Sequence, residues 1–281
     1  MATKIRVTAI QRLCVNDGPG VRTVVFLKGC YLQCPWCCNP EAIHFDSDLF
    51  FDKGLCKFPA ENAICRNCEL HGGDSLKGHC SINSFEKTYT DYDVDELFNL
   101  LMRDKNLYQD GGGVTFSGGE PLLQAFALKP LLQLLKDYDV HIAFETTLYA
   151  PVENYKVTRG YVDYWIVDLK FQYGYIANRD YAIDIKDFIN SIRDLQGCGK
   201  QILYRMVIMD EILCKTDSII DQFKEYQINR IELLAYHSLA ENKYKELGKR
   251  FNKLKTPSNE TLKSMCGIMK LKGIAAKFVT I

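Results

Sequence analysis

Six short apolar runs, separated for the most part by helix-patterned stretches, constrain the fold more than any other feature of this chain. They are VRTVVFLKG (21–29), GVTFSGG (113–119), HIAFETT (141–147), YWIVDLK (164–170), QILYRMVIM (201–209) and RIELLAYH (230–237). Each is rich in β-branched or aromatic residues and has the length of a strand. Residues 94–108, 126–138, 185–195, 216–226 and 260–271 carry apolar residues at helical spacing, and the last stretch has a capping residue before it at Ser258 or Asn259. Strands that read as continuous apolar runs are buried on both faces. Alternation with helices then gives a parallel sheet covered by helices. AKFVTI (276–281) is expected to add a seventh strand. Seven is short of a closed eight-stranded barrel, so two architectures stay open: an open or partial barrel, and a doubly wound sheet.

Composition narrows the function. The 281 residues suffice for one large domain, or a large domain with a small insertion. The formal net charge of zero gives no electrostatic case for nucleic acid or an anionic membrane. No apolar run reaches the roughly 18 residues of a membrane span. MATKIRVTAIQRL has no apolar core of signal-peptide length, so the expected location is the cytosol.

The alternation breaks between about residues 41 and 90. LCKFPAENAICRNCELHGGDSLKGHC has little periodicity and cannot build a core from its own side chains. The expected organisation is therefore a main α/β unit, 1–40 and 91–281, interrupted by a cysteine-rich insertion, 41–90. The insertion leaves the C-terminal end of a strand, which in parallel α/β folds is the active-site side. Of twelve cysteines, eight fall between Cys30 and Cys80. In a reducing cytosol such clusters are metal ligands or reactive thiols rather than disulfides. Cys14, Cys198, Cys214 and Cys266 are scattered and read as buried small hydrophobes.

Cys30, Cys34 and Cys37 are spaced C-x3-C-x2-C at the end of the first run. A structural zinc site closes with four ligands. Three thiolates on one loop can instead hold three irons of a [4Fe–4S] cluster and leave the fourth iron open. This spacing resembles that of the radical S-adenosylmethionine superfamily. The resemblance implies that the open iron chelates the amino and carboxylate groups of S-adenosylmethionine. An electron then cleaves the sulfonium to methionine and a 5′-deoxyadenosyl radical. It implies that Trp36 meets the adenine, and that Ser117, Gly118, Gly119 and Glu120, in GGGVTFSGGEP, contact the methionine amino group. Read without it, the glycines mark only a flexible strand end.

VNDGPGVRTVVFLKGC, with W-C-x-N-P after it, is similar to a narrower group, the activating enzymes of glycyl radical enzymes. The similarity covers nearly the whole chain and implies a partial (β/α)6 barrel. It places Asp168 and Lys170, the Asp-x-Lys of YWIVDLK, by the carboxylate region of the ligand. Arg205 falls near S-adenosylmethionine and His237 on the adenine. Glu145 and Thr146 stand where the family has an acidic residue and a threonine, sometimes with a monovalent cation. Asp17, in the Asp-Gly-Pro-Gly loop, lies by the cavity that admits the target glycine. Asp17 and Lys170 are thus the candidate catalytic residues. Each has a plainer reading as well. Asp168 and Lys170 share strand parity and suit a local ion pair, Arg205 and His237 suit satisfied polar groups, and residues 17–20 suit an ordinary turn.

Three departures from the family stand out. Many relatives carry a ferredoxin-like insertion with two C-x2-C-x2-C-x3-C runs; this chain has only Cys56, Cys65, Cys68 and Cys80, spaced C-x8-C-x2-C-x11-C. Four thiolates suit one auxiliary [4Fe–4S] cluster or one zinc, with His71 and His79 as alternative zinc ligands, or the segment binds no metal. Cys38 stands where relatives often have histidine. Cys214 replaces part of a Pro-Gly loop and is expected either to face the cavity or to be buried structurally. The resemblance implies hydrogen abstraction from a backbone glycine of a partner glycyl radical enzyme. It also implies flavodoxin or ferredoxin as electron donor, and an oxygen-sensitive cluster used under anaerobic conditions. Two other functions stay open: a radical enzyme acting directly on a peptide or small molecule, with Cys214 as hydrogen donor, and a non-catalytic metal-binding protein.

Overall fold

The computed structural model describes residues 4–45, 48–51, 85–170 and 185–279. Eleven strands are present among them. They are β1 (Ile5–Cys14), β2 (Arg22–Leu27), β3 (Leu49–Phe51), β4 (Phe85–Lys87), β5 (Thr90–Tyr92), β6 (Gly113–Gly118), β7 (His141–Thr146), β8 (Tyr164–Asp168), β9 (Gln201–Ile208), β10 (Arg230–Ala235) and β11 (Ala275–Val279). Nine form one sheet in the order β11-β10-β9-β8-β7-β6-β2-β1-β5. From β2 to β11 all neighbours are parallel, and the strands follow one another in chain order. A doubly wound sheet reverses its order partway; this one does not. The architecture is therefore the singly wound, open one of a partial barrel.

The six runs and AKFVTI become β2, β6, β7, β8, β9, β10 and β11. β2, β6, β7 and β8 are buried on both faces, β2 and β6 nearly continuously; β10 is buried over Ile231, Glu232 and Leu233, β9 alternates, and β11 at the sheet edge has no buried residue. The helices that cover them are α1 (Val94–Met102), α2 (Ala125–Asp137), α3 (Val152–Thr158), α4 (Ile185–Gly197), α5 (Asp210–Leu213), α6 (Thr216–Glu225), α7 (Glu241–Glu246) and α8 (Asn259–Leu271). Five answer to the periodic stretches. Ser258 caps α8 as expected, its hydroxyl accepting from the Thr261 N–H at 3.1 Å. Phe116 meets Phe144 edge to face, and Trp165 packs tilted against both Phe144 and Tyr155, with ring centroids 5.4–5.6 Å apart. Among the described residues no helix is long and apolar enough to cross a membrane.

Two features differ from expectation. β1 was not foreseen. It runs antiparallel to β2, with a register shift between Gln11 and Cys14, and only its first half alternates in burial. The four scattered cysteines are not buried: Cys198 and Cys214 are exposed, Cys14 and Cys266 half-buried. Cys198 and Cys214 follow helix ends and Cys14 closes an edge-facing strand, positions that hydrophobicity alone does not reveal.

The chain leaves the sheet after β2 and returns at β5. Between them, β3 and β4 pair as a separate two-stranded sheet. Lys28, fully buried, joins both ends of this excursion: its Nζ donates to the Glu41 carbonyl at 2.7 Å and to Thr88 Oγ1 at 3.1 Å. Thr88 Oγ1 donates in turn to the Asp48 carbonyl at 3.0 Å. Lys249 pairs with Asp48 at 2.8 Å, and Lys243 reaches both Glu41 and Asn39 Oδ1. Cys56, Cys65, Cys68 and Cys80, with His71 and His79, lie outside the described residues.

Candidate active site at the strand ends

β2 ends at Leu27, and Cys30, Cys34 and Cys37 follow on one loop. The loop is sewn to the chain behind it: the N–H groups of Gly29 and Cys30 donate to the carbonyls of Ala42 and Ile43, at 2.7 and 2.8 Å. It is also pressed against the end of β6. Gly119 N–H donates to Leu27 O at 2.8 Å and Glu120 N–H to Gly29 O at 2.7 Å. A Cβ on Gly119 would come within 2.2 Å of that same Gly29 oxygen. The glycines expected near the ligand therefore have a packing reason, which is close backbone approach.

The three thiols are close enough to perturb one another. Burial, chiefly, pushes Cys30 well above the ordinary thiol range, Cys34 up to about 11 and Cys37 up to about 12. Lys170 opposes this for Cys34 and Cys37. Thiols in this setting need a strongly cationic partner to ionise, which is the service that iron performs for thiolates. Among the described residues no three Cys, His, Asp or Glu side chains converge on a single metal ion. A cubane cluster makes no such demand, because its ligating sulfurs attach to separate irons.

Around this loop the other strand ends supply charge. Lys170 Nζ bonds Asp168 Oδ2 at 2.6 Å and lies 5.6 Å from the centre of the Trp36 ring. Burial works against its charge, but Asp168 and the Cys34 and Cys37 thiols outweigh it and hold Lys170 above the ordinary lysine range. The second Asp168 oxygen, Oδ1, is buried and has no hydrogen-bond partner among the described residues, which leaves an acceptor open to a further donor. Ser117 Oγ donates to Glu145 Oε2 at 2.5 Å. Glu145 Oε1 faces Arg205 Nη1 at 3.7 Å, and Arg205 Nε donates to Glu232 Oε2 at 3.1 Å. Asp168, Arg205 and Glu232 are in register across β8, β9 and β10, so they share one face of the sheet. Burial pushes the Glu145 carboxyl up, with Arg205 and Ser117 pulling back. Asp17 is also pushed up by burial and held down by Arg205 and Arg22.

His237 follows β10 and meets the cysteine loop. Its Nδ1 accepts from the Leu239 N–H at 3.4 Å, which assigns the proton to Nε2, 3.7 Å from Cys38 Sγ. Burial lowers its pKa, favouring the neutral ring. Glu120 sits apart from this charged face. It is buried, and its carboxylate accepts four hydrogen bonds: Oε1 from Leu122 N–H (3.1 Å) and Thr146 Oγ1 (2.5 Å), Oε2 from Thr147 N–H (2.8 Å) and Thr147 Oγ1 (2.7 Å). Burial raises its pKa, with these donors opposing. Cys214 is exposed, its thiol 3.7 Å from the Glu211 carbonyl within its own helical turn.

Among the described residues, the three cysteines, Trp36, Ser117, Glu145, Asp168, Lys170 and His237 lie at or just past the C-terminal ends of strands, Arg205 lies within β9, Asp17 lies in the loop before β2, and the Glu120 side chain turns to Thr146 and Thr147. The sequence did not point to Lys28, Glu41, Arg22, Thr147, Glu232 or Lys243.

The open parallel sheet and its three-cysteine loop define a carrier of one iron–sulfur cluster, and residues 16–173 match the model of the 4Fe–4S single cluster domain. The chain is 31% identical to the 4-hydroxyphenylacetate decarboxylase activating enzyme of Clostridium scatologenes, over 86% of each chain. It is also 31% identical to the pyruvate formate-lyase 2-activating enzyme of Escherichia coli (strain K12), over 90% of this chain and 84% of that one. Its fold is like that of a radical SAM methyltransferase from Sphaerobacter thermophilus, with a TM-score of 0.55 at 14% identity, covering 92% of this chain and 66% of that chain. The chain belongs to the family of glycyl radical enzyme activating enzymes, which are oxidoreductases of the radical S-adenosylmethionine type.

Proposed function

We propose that this enzyme cleaves S-adenosylmethionine reductively and abstracts a hydrogen from a backbone glycine of a partner glycyl radical enzyme. The observation that carries the reading is the grouping at one end of the sheet of three mutually perturbing thiols, Cys34 buried and Cys30 and Cys37 half-buried, the Lys170–Asp168 pair beside Trp36, and an Asp168 oxygen with no partner among the described residues.

A site-differentiated [4Fe–4S] cluster, when bound, supplies one low-potential electron to the sulfonium of S-adenosylmethionine. Cys30, Cys34 and Cys37 would hold that cluster as thiolates. Lys170 offsets their negative charge, and its ammonium is kept protonated by Asp168 and the neighbouring thiols. Asp168 Oδ1 is the acceptor available to a polar group of the cosubstrate. Ser117, Gly118 and Gly119 present the end of β6 to the methionine moiety, while the Glu120 side chain braces that strand end from behind. Trp36 and neutral His237 offer flat surfaces for the adenine. Glu145 and Arg205 form the charged wall opposite, where a monovalent cation would also find an anionic partner, and Asp17 stands beside Arg205 on the side that receives the target glycine. Residues 41–90 are proposed as a separate unit, with Cys56, Cys65, Cys68 and Cys80 holding one auxiliary [4Fe–4S] cluster or a zinc ion, and flavodoxin or ferredoxin as electron donor. Cys214, exposed and bonded within its own helix, gives the direct-substrate reading no support.

The test is electron paramagnetic resonance on anaerobically reconstituted, reduced protein mixed with S-adenosylmethionine and an anaerobic extract of the source cells. A glycyl-radical doublet that is absent with Cys34→Ala is expected. 5′-Deoxyadenosine rising without a doublet would overturn the protein-partner reading, and neither signal in cluster-loaded protein would overturn the catalytic one.

A further inference from the structure

The loop between β1 and β2 carries Asp17, and two arginines grip it from opposite ends. Arg22 is fully buried, and five of its contacts are to neutral oxygens. Nε donates to Thr115 Oγ1 (2.6 Å), Nη1 to the carbonyls of Pro19 (2.9 Å) and Gly111 (3.1 Å), and Nη2 to those of Val114 (2.8 Å) and His141 (3.3 Å), with Nη1 also 3.4 Å from the His141 ring nitrogen Nδ1. Thr115 Oγ1 passes the connection on by donating to the Asp17 carbonyl at 2.7 Å. Gly20, at φ +66°, packs so closely that a Cβ would lie 2.3 Å from Gly112 N. This half of the loop is built into the sheet.

The other half is held less firmly, although Leu13 and Cys14 close β1 and Cys14 stands in register with Arg22. Leu13 has φ +59°, costly for a leucine, and Leu13 and Val15 are 64% and 66% exposed. Among the described residues, the polar contact made by Asn16 is a hydrogen bond to its carbonyl from Arg205 Nη2 at 2.6 Å, 189 residues away in sequence. The same guanidinium is fixed by Glu232, itself paired with Lys277 at 2.6 Å, and faces Glu145. We infer that Arg205 is a positioning residue for residues 13–17: it tethers Asn16 to the charged face of the sheet and, with the Thr115 hydroxyl on the Asp17 carbonyl, sets where Asp17 stands, while Arg22 anchors the far end of the loop. One side chain then links the wall of the cofactor site to the loop that carries Asp17. The tether is a property of the chain without cofactor and stands independently of the proposed reaction.

The experiment is native-state proteolysis of the full-length chain with thermolysin, which cuts before exposed leucine and valine, with fragments followed by mass spectrometry. Cleavage of a segment that opens and recloses quickly reports the population of its open form. A charge-assisted bond of this kind, once lost, raises that population by roughly tenfold or more. The variants are Arg205→Gln and Arg205→Lys. The lysine keeps a cation between Glu145 and Glu232 but has one ammonium in place of a fork, and it cannot hold Glu232 and Asn16 together. Cutting at 13–15 is expected to accelerate about tenfold in both variants, while cuts within 113–168 keep the parent rate. An unchanged rate at 13–15 overturns the inference. So does a rise that merely keeps step with cuts across 113–168, since that is global loosening. Activity is not read, so failure of the proposed reaction leaves the result intact.

Discussion

Glu120→Gln separates a carboxylate that binds a ligand from one that holds the protein together. In the parent, two backbone donors point at different oxygens, Leu122 N–H at Oε1 and Thr147 N–H at Oε2, and the hydroxyls of Thr146 and Thr147 join one each. A glutamine has one oxygen. The hydroxyls can rotate to accept from the new amide, but the backbone groups cannot. Whichever way the amide sits, one buried N–H faces an N–H2. An orphaned buried donor costs about 1–3 kcal/mol, and the surviving bonds lose the strengthening of a charged acceptor. Removing the charge relieves the burial that raises the pKa of this carboxyl, which offsets part of the loss. The net expectation is about 2 kcal/mol of destabilisation in the cofactor-free chain. With an m-value of about 3 kcal/mol/M, the urea midpoint falls by about 0.7 M. Glu120→Ala, which orphans both backbone donors and leaves a cavity, should lose about twice as much. The assay is equilibrium urea unfolding followed by circular dichroism under anaerobic, reducing conditions. A midpoint for Glu120→Gln within about 0.1 M of the parent would refute the reasoning, because a ligand-binding carboxylate can be neutralised without cost to the unliganded fold.

Other outcomes follow from the same geometry. Glu232 is held below the ordinary carboxyl range: burial alone would raise it, but Lys277 and Arg205 prevail. Its pairing therefore adds stability above the unfolded pKa and loses it as pH falls through the folded one, so Glu232→Gln should cost about 3 kcal/mol at pH 7, with the gap from the parent closing below about pH 4.5 in urea titrations. Gly119→Ala drives a Cβ toward the Gly29 carbonyl, and should cost about 3 kcal/mol and lower iron uptake, read by unfolding and iron analysis. Cys38→Ala should keep the full iron content of the parent, because Cys38 faces His237 rather than standing in the three-thiol set; loss of iron comparable to Cys34→Ala would refute that assignment.

What could be read in the sequence was whatever one segment decides for itself. β2, β6, β7 and β8 announce themselves because both faces are buried and the run is uninterrupted. β1 does not, because burial fades along its length toward the loop. The site residues were legible as chemistry at strand ends, and the Lys170–Asp168 pair even as a neighbour contact. Their long-range partners were not legible. Nothing local tells that Glu120 turns inward to Thr146 and Thr147, since that depends on β6 and β7 standing side by side. Lys28 reads as a polar strand end, yet it is buried because the chain folds back over it at Glu41 and Thr88. The scattered cysteines failed for the opposite reason: a thiol suits a core or a helix end equally, and packing alone decides.

Lys28 has a consequence for how this protein can diverge. Its one ammonium binds the chain where it departs, at Glu41, and where it comes back, at Thr88, and through Thr88 it also reaches Asp48. The two ends of the excursion are thus fastened to each other and to β2 before any residue between them is considered. Loop closure costs little more for a long excursion than for a short one once its ends are pinned. The intervening stretch is in effect a cartridge on a fixed socket. Its length and composition can change over generations while the cysteine loop, two residues beyond Lys28, keeps its place.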